Sequence, residues 1–488
     1  MSKTLFTSVF LISLLFQMGP AFGQKAASAR PAAAQAARAT AAAPAAHYET
    51  PFVNKTLPNG LEVIVLPDSA VPLVTVELAV RNGSFTEPPE LNGLSHLFEH
   101  MFFKPSQAAY RGADYLKNIE TLGIAYNGST REEIVNYYFT TTSPYVKTAM
   151  QVINDAVRLP RFDEQEFAKE KQVVIGELER NESNPFYYLS RELSDRLFYK
   201  YPTRKNPAGT RETVAKATTD QMRTIKSRYY FPNNAALIVA GDVKPDEIFT
   251  QAEQILGSWE PRKVDPFKEF PLVEHPPLPK SEGVIIEKTL GDEQQTTEQN
   301  VFIQVGWQGP SIGKDDKATY AADVFSYILQ QPDSRFQRDL VDSGLASGAS
   351  LNYYTQRNVG PITLFLITTP EKAKAAVKAA YAEIAQFTDP KYFTAEELEN
   401  SKTILQASDL FDREKTSEYA HTLGFWWSST GIDYFRGYQK NLRATNRTDI
   451  NQYVSTYIQG KPHVGIALLS PAAKSAANLS ELDLTGGK

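Results

Sequence analysis

Apolar and polar positions change period along this chain, and each change marks an element. Apolar runs at Pro51–Leu57 and Leu61–Leu66 flank Asn59-Gly60, a pair suited to the positive backbone angles of a tight turn, so a hairpin is predicted there. Leu73–Arg81 alternates as a third strand. Gly93–Phe103 then becomes dense: six of its eleven residues are large and apolar and none is Pro, which predicts a buried helix. A helix is expected at Ala113–Leu122, strands at Ile124–Ser129 and Ile134–Thr142, and helices at Pro144–Leu159, Asp163–Asn181 and Phe186–Tyr199. A strand at Ala235–Ala240 and a helix at Pro245–Leu256 close the first half. After a Pro- and charge-rich linker at 261–283, the second half restarts with strands at Gly283–Thr289 and Asn300–Trp307 and a helix at Ala318–Leu329. Strands at Gly348–Tyr354 and Ile362–Thr369, two long helical stretches and a final strand at His463–Leu469 complete it. The two halves repeat one order of elements, which predicts an internal duplication of about 200 residues per copy. The expected fold is α+β: two homologous sheet-and-helix lobes, at 48–260 and 284–480, joined by the linker.

Composition narrows the setting. Residues 1–23 read as a cleaved secretory signal, with Lys3, an apolar core from Leu5 to Met18 and a small-x-small site at Ala21-Phe22-Gly23. Residues 24–47, nearly all Ala with Pro, Gln and Arg, read as a flexible leader. Periplasmic or secreted placement follows, with no membrane insertion once the signal is removed. The net charge of −5 is spread along the chain without a basic stripe, which argues against nucleic acid as a partner. With no cysteine among 488 residues, disulfides, thiolate metal ligands and cysteine-linked lipids are excluded.

Candidate chemistry concentrates in the predicted helix at Gly93–Phe103. Positions i, i+3 and i+4 share a helix face, so His96, Glu99 and His100 project together. Two imidazoles there can hold zinc while the carboxylate reaches an activated water, the H-x-x-E-H arrangement. The chain has only six histidines; His421 and His463 lie far apart and read as structural. A catalytic zinc takes a third protein ligand. In Asp163–Asn181, which opens with the capping pattern Asp163-x-x-Glu166, the stripe Phe167, Val174 and Leu178 is bordered by Glu170 and Glu177. Either could serve the metal, or both could be ordinary edge glutamates; the pattern leaves this open.

Gly93–Phe103 together with Glu170–Glu177 resembles the pitrilysin/insulinase family of zinc peptidases, which includes the mitochondrial processing peptidases. The resemblance implies duplicated metallopeptidase-like domains, with one zinc per chain held by His96, His100 and Glu177, the last 77 positions after His100. It implies catalytic roles for Glu99 and Glu170. Asn127-Gly128-Ser129 is similar to the family's edge strand beside the metal and would bind substrate. The implied activity is that of a zinc metalloendopeptidase on peptides or small unfolded proteins. The second half departs from the pattern: single-chain members carry R-x-x-x-G-L-A-Y, whereas Leu340 and Ser347 flank Gly344-Leu345-Ala346 here. Leucine and serine cannot supply a cation or a phenol to a developing oxyanion. The chain therefore resembles the zinc-bearing subunit of two-subunit members, whose paralogous partner in a heterodimer would supply those groups; in a homodimer the Arg and Tyr roles would be met by other residues. The alternative is a non-catalytic peptide-binding or assembly scaffold of the same family.

Overall fold

The computed structural model describes residues 51–104, 123–289 and 300–487. The expected signal, the leader and the helix at Ala113–Leu122 lie outside these residues.

The Asn59-Gly60 turn joins β1 (Val53–Thr56) to β2 (Glu62–Pro67), with Thr56 opposite Glu62. Gly60 takes the positive φ of 86° that the turn requires. Asn59 accepts a hydrogen bond from Leu61 N and donates to Leu256 O and Trp259 O, fixing the turn to the helix behind it. The other strands are β3 (Leu73–Val80), β4 (Ala125–Thr130), β5 (Val135–Thr142), β6 (Ala235–Gly241), β7 (Glu282–Glu287), β8 (Val301–Gln308), β9 (Gly348–Tyr353), β10 (Pro361–Thr368) and β11 (Val464–Leu469). Among the described residues they form two sheets, ordered β1-β2-β6-β3-β5-β4 and β7-β11-β8-β10-β9. Without β1, the orders are the same: first, fifth, second, fourth and third strand of each half. In both, the first and fifth strands are parallel and every other pair is antiparallel. The duplication expected from the pattern is present in the topology.

The helices that bear on function are α1 (Leu94–Phe102), α2 (Val146–Arg158), α3 (Glu164–Ser183), α4 (Pro185–Leu197), α5 (Asp316–Gln330) and α6 (Thr416–Ser429). Alternation in β3 and β5 sends Val74, Val76, Leu78, Val80, Tyr137 and Phe139 to the inner face of the first sheet, against Leu97, Phe98, Met101 and Phe102 of α1. Each such side chain contributes about 1.5–3 kcal/mol on full burial, so α1 is anchored by its apolar side. α5 takes the equivalent place on the second sheet. The outer faces are covered by exchange. α4, from the first half, lays Leu189, Leu193 and Leu197 on Phe302, Val464, Ile466 and Leu468 of the second sheet. α6, from the second half, lays Tyr419, Ala420, Leu423 and Trp427 on Ile64, Leu66, Ala79 and Ile238 of the first.

Arg211–Lys216 and Thr219–Tyr229 are helices that were not anticipated, as are the short turns of helix at Pro266–Glu269, Arg335–Gln337 and Lys474–Ala477. Thr219–Tyr229 opens with a Thr218/Gln221 capping box, a signal readable in the sequence. From Pro370 onward the two expected helical stretches resolve into five helices, divided where Thr394 and Asn446 cap new starts and where Gly431 takes φ 122°.

Candidate metal centre

α1 and α3 bring three donor atoms to one point. His96 Nε2 lies 3.6 Å and His100 Nε2 3.5 Å from the same atom, Glu177 Oε2. These separations exceed hydrogen-bond length, and His100 Nε2 is buried with no hydrogen-bond partner among the described residues. Three donors bound tetrahedrally at about 2.0–2.1 Å lie roughly 3.3 Å apart, so two imidazoles and one carboxylate at this spacing fit a zinc ion. Among the described residues, His96, His100 and Glu177 are the group of His, Asp and Glu side chains close enough to share a metal.

The electrostatics agree with that fit. Burial, followed by the nearby His100, holds His96 down at about 4, a neutral ring with a free lone pair. Burial would lower His100 too, but its hydrogen bond to Glu170 and the nearness of Glu177 outweigh it and raise the ring to about 9. Carboxylates that retain a proton there would also retain a metal cation. Glu177 and Glu170 stay below the usual carboxylate range, because the histidines, and Lys104 for Glu170, outweigh burial.

The supporting contacts are specific. Glu170 Oε2 is 3.1 Å from His100 Nδ1, and Glu170 Oε1 is 2.5 Å from Lys104 Nζ. Glu170 occupies the buried stripe of α3 with Phe167, Val174 and Leu178, whereas Glu177 is partly exposed beside it. Asp163 caps α3 as expected, but Glu166 pairs with Lys169 instead of completing the box. Glu99 is 2 % exposed and points toward β4, where Thr130 Oγ1 donates to its Oε2 at 2.7 Å. Burial pushes Glu99 up to about 7, against the pull of His100 and Thr130. Gly128 makes this approach possible, since a methyl there would lie 2.9 Å from Glu99 Cγ. Asn127 and Ser129, its neighbours in β4, face away from Glu99: Asn127 Oδ1 accepts from Gly128 N and Ser129 donates to Asn136.

A family model described as Insulinase (Peptidase family M16) matches residues 63–210, and a second, Peptidase M16 inactive domain, matches 216–405. The chain belongs to the insulinase family, peptidase family M16. The uncharacterized zinc protease YmxG of Bacillus subtilis is 26% identical over 364 residues, covering 74% of this chain and 84% of that protein. The crystal structure of a protease from Helicobacter pylori superposes with a TM-score of 0.74 at 21% identity, over 86% of this chain and 99% of that one. The periplasmic protease PqqL from Escherichia coli gives 0.71 at 17% identity, over 91% of this chain and 50% of that one.

In this M16 chain the described residues of the second lobe hold no group of His, Asp and Glu close enough to share a metal, and α5 buries Tyr320, Ala321, Val324 and Phe325. Leu340 is fully buried in a π-helical turn, and Ser347 bonds back to Ile367 O. Three contributors escaped the sequence reading. Lys104 and Thr130 act through tertiary contacts. Glu87, from an irregular segment before α1, accepts hydrogen bonds from Gly93 N at 2.8 Å and Ser95 N at 2.6 Å and so caps the helix that carries both histidines. In the sequence its only mark is a Glu six positions ahead of Gly93.

Proposed function

We propose that this chain is a zinc metalloendopeptidase of peptides or small unfolded proteins, the zinc-bearing subunit of a heterodimer whose paralogous partner supplies Arg and Tyr contacts. One observation carries the reading: His96, His100 and Glu177 converge on a single point with the buried Glu99 beside them. One zinc per chain would be held by those three residues, and when bound it supplies a Lewis acid that activates water and polarises a peptide carbonyl. Glu99 Oε1, free of the Thr130 bond, accepts the proton of the attacking water and returns it to the leaving amine. Glu170 orients His100 through Nδ1 and is itself held by Lys104. Substrate lies extended along β4, which pairs only with β5 among the described strands and can accept one more by backbone hydrogen bonding. Gly128 keeps the inner side of that strand open to Glu99, flanked by Asn127 and Ser129.

The partner is inferred from Leu340 and Ser347, which offer no charge or phenol. The reading of 1–23 as a signal, together with the word periplasmic in the description of the PqqL structure, supports a location outside the cytoplasm. Among the described residues no helix is long and apolar enough to cross a membrane.

The test is metal content together with cleavage of an unstructured peptide, with and without chelator. Glu99→Gln is expected to retain zinc and lose at least about 10²-fold in kcat. Wild-type turnover in that variant, or a purified chain without zinc, would overturn the assignment and favour the scaffold reading.

A further inference from the structure

The first sheet holds a carboxylate in an unexpected place. Glu77, in the middle of β3, is fully buried on the outer face of the sheet, under α6. An unpaired charge there would be costly, and this one is fully engaged. Its Oε2 is bonded to His421 Nδ1 of α6, and its Oε1 accepts from Asn136 Nδ2 of β5 at 2.8 Å. Asn136 Oδ1 in turn accepts from Ser129 Oγ of β4 at 2.6 Å. The His421 ring also lies 4.2 Å from that of Tyr138, which stands opposite Asn127 in β4. α6 is shaped for the carboxylate: a methyl on Gly424, one turn after His421, would sit 2.6 Å from Glu77 Oε1. A polar chain thus runs from the second half, across the outer face of the sheet, to the strand whose inner face meets Glu99.

The tip of the same hairpin is gripped independently. Glu133, in the β4–β5 turn, accepts from Arg357 N at 2.8 Å and Asn358 N at 2.9 Å, and Tyr354 Oη donates to Glu132 at 3.3 Å. All three donors belong to the turn between β9 and β10 of the second sheet. Lys205 secures that turn by donating to Asn358 O and Val359 O. Buried charge pairs add little net stability compared with apolar packing, whereas they fix relative positions. Of the contacts named here, those of Glu132 and Glu133 hold the β4–β5 turn itself, and that of Glu77 reaches β4 through Asn136 and Ser129.

We propose that the second lobe, whose described residues hold no metal-sharing group of their own, works in the reaction as the support of the β4–β5 hairpin, and that His421 is a positioning residue setting β4 for the peptide. This rests on the peptidase reading for its consequence, but not for its structural test. His421→Leu removes the donor, and His421→Asn restores one near the position of Nδ1. Because His421→Leu strands a buried carboxylate, the double variant Glu77→Leu/His421→Leu removes the pair without leaving a charge. Arg436→Gln, which breaks an exposed bond between the halves to Asn54, serves as the control.

Two readouts are taken on the full chain with its partner subunit, if one copurifies. In steady-state cleavage of an unstructured peptide, His421→Leu or the double variant is expected to raise KM about tenfold, with zinc content unchanged and most of the loss recovered in His421→Asn; misplacement by about 1 Å can cost up to 10²-fold. Hydrogen exchange at the β4 amides, which needs no turnover, is expected to speed up in the same variants and not in Arg436→Gln. A folded double variant with wild-type KM and wild-type β4 exchange overturns the proposal. So does a uniform loss of melting temperature without either change, which would mark the pair as merely structural. If the wild type cleaves no peptide, the function fails, while the exchange experiment still decides whether His421 supports the strand.

Discussion

Glu170 divides its two oxygens between a cation and an imidazole, and that division gives it a task separate from binding metal. With Oε1 on Lys104 and Oε2 on His100 Nδ1, it fixes which way the His100 ring points. Carboxylates in this relation to a metal-binding histidine typically alter metal affinity by about 10–100-fold when removed. Glu170→Gln is therefore expected to weaken zinc binding by about that factor, and Lys104→Met by about tenfold, as measured by competition with a chromogenic chelator. Unchanged affinity in both would leave Glu170 with no role toward His100. Helical periodicity placed Glu170 and Glu177 beside the stripe of Phe167, Val174 and Leu178, and there it stopped. Which carboxylate meets both imidazoles depends on how α3 crosses α1, and no single-helix pattern contains that. The inward turn of Thr130 and the space left by Gly128 were invisible for the same reason. Gly128→Val should fill that space, retain zinc, and lose turnover by about 10²-fold or more, because it pushes β4 from Glu99. Retained turnover would show that the strand need not come so near.

At the scale of elements, α1 was legible from its apolar density and its H-x-x-E-H, its start to within one residue, but the group that caps it was not. The cap comes from Glu87, across the irregular segment 84–92, where no periodicity exists to read. Burial pushes the Glu87 carboxyl up to about 7 from an ordinary 4.5, in spite of its bonds to Ser95, Gly93 and Asn92. A carboxyl whose folded value is raised binds its proton more tightly in the folded state, so it subtracts stability as pH rises from about 4.5, fully so above about 7. Over that window the wild type is expected to lose roughly 3 kcal/mol that Glu87→Gln does not lose, although the variant starts lower for want of a second acceptor. Denaturant melts at pH 5 and pH 8 measure both slopes. Parallel slopes would mean that Glu87 does not titrate in this range.

Across the whole molecule, the repeated order of strands was readable from pattern, because each half carries its own alternation. The exchange of α4 and α6 was not. An amphipathic helix declares that it will bury a face without saying against which sheet. Since Tyr419, Leu423 and Trp427 cover Ile64, Leu66 and Ile238, neither half has a complete core alone. Residues 51–260 expressed without the rest are expected to aggregate, and coexpression with 261–487 to restore solubility. The full chain should melt in one calorimetric transition; two separate ones would show that the lobes are independent after all.

The covering helix of the first sheet also imposes an order in time. β6 is complete at Gly241, yet α6 begins only at Thr416. At about 5–20 residues per second, a ribosome takes on the order of ten to thirty seconds between the two. For that interval the nascent first lobe presents Ile64, Leu66 and Ile238 to its surroundings. The first lobe cannot bury that face before α6 is made, so slowed elongation after residue 241 is expected to lower the yield more than slowing before it.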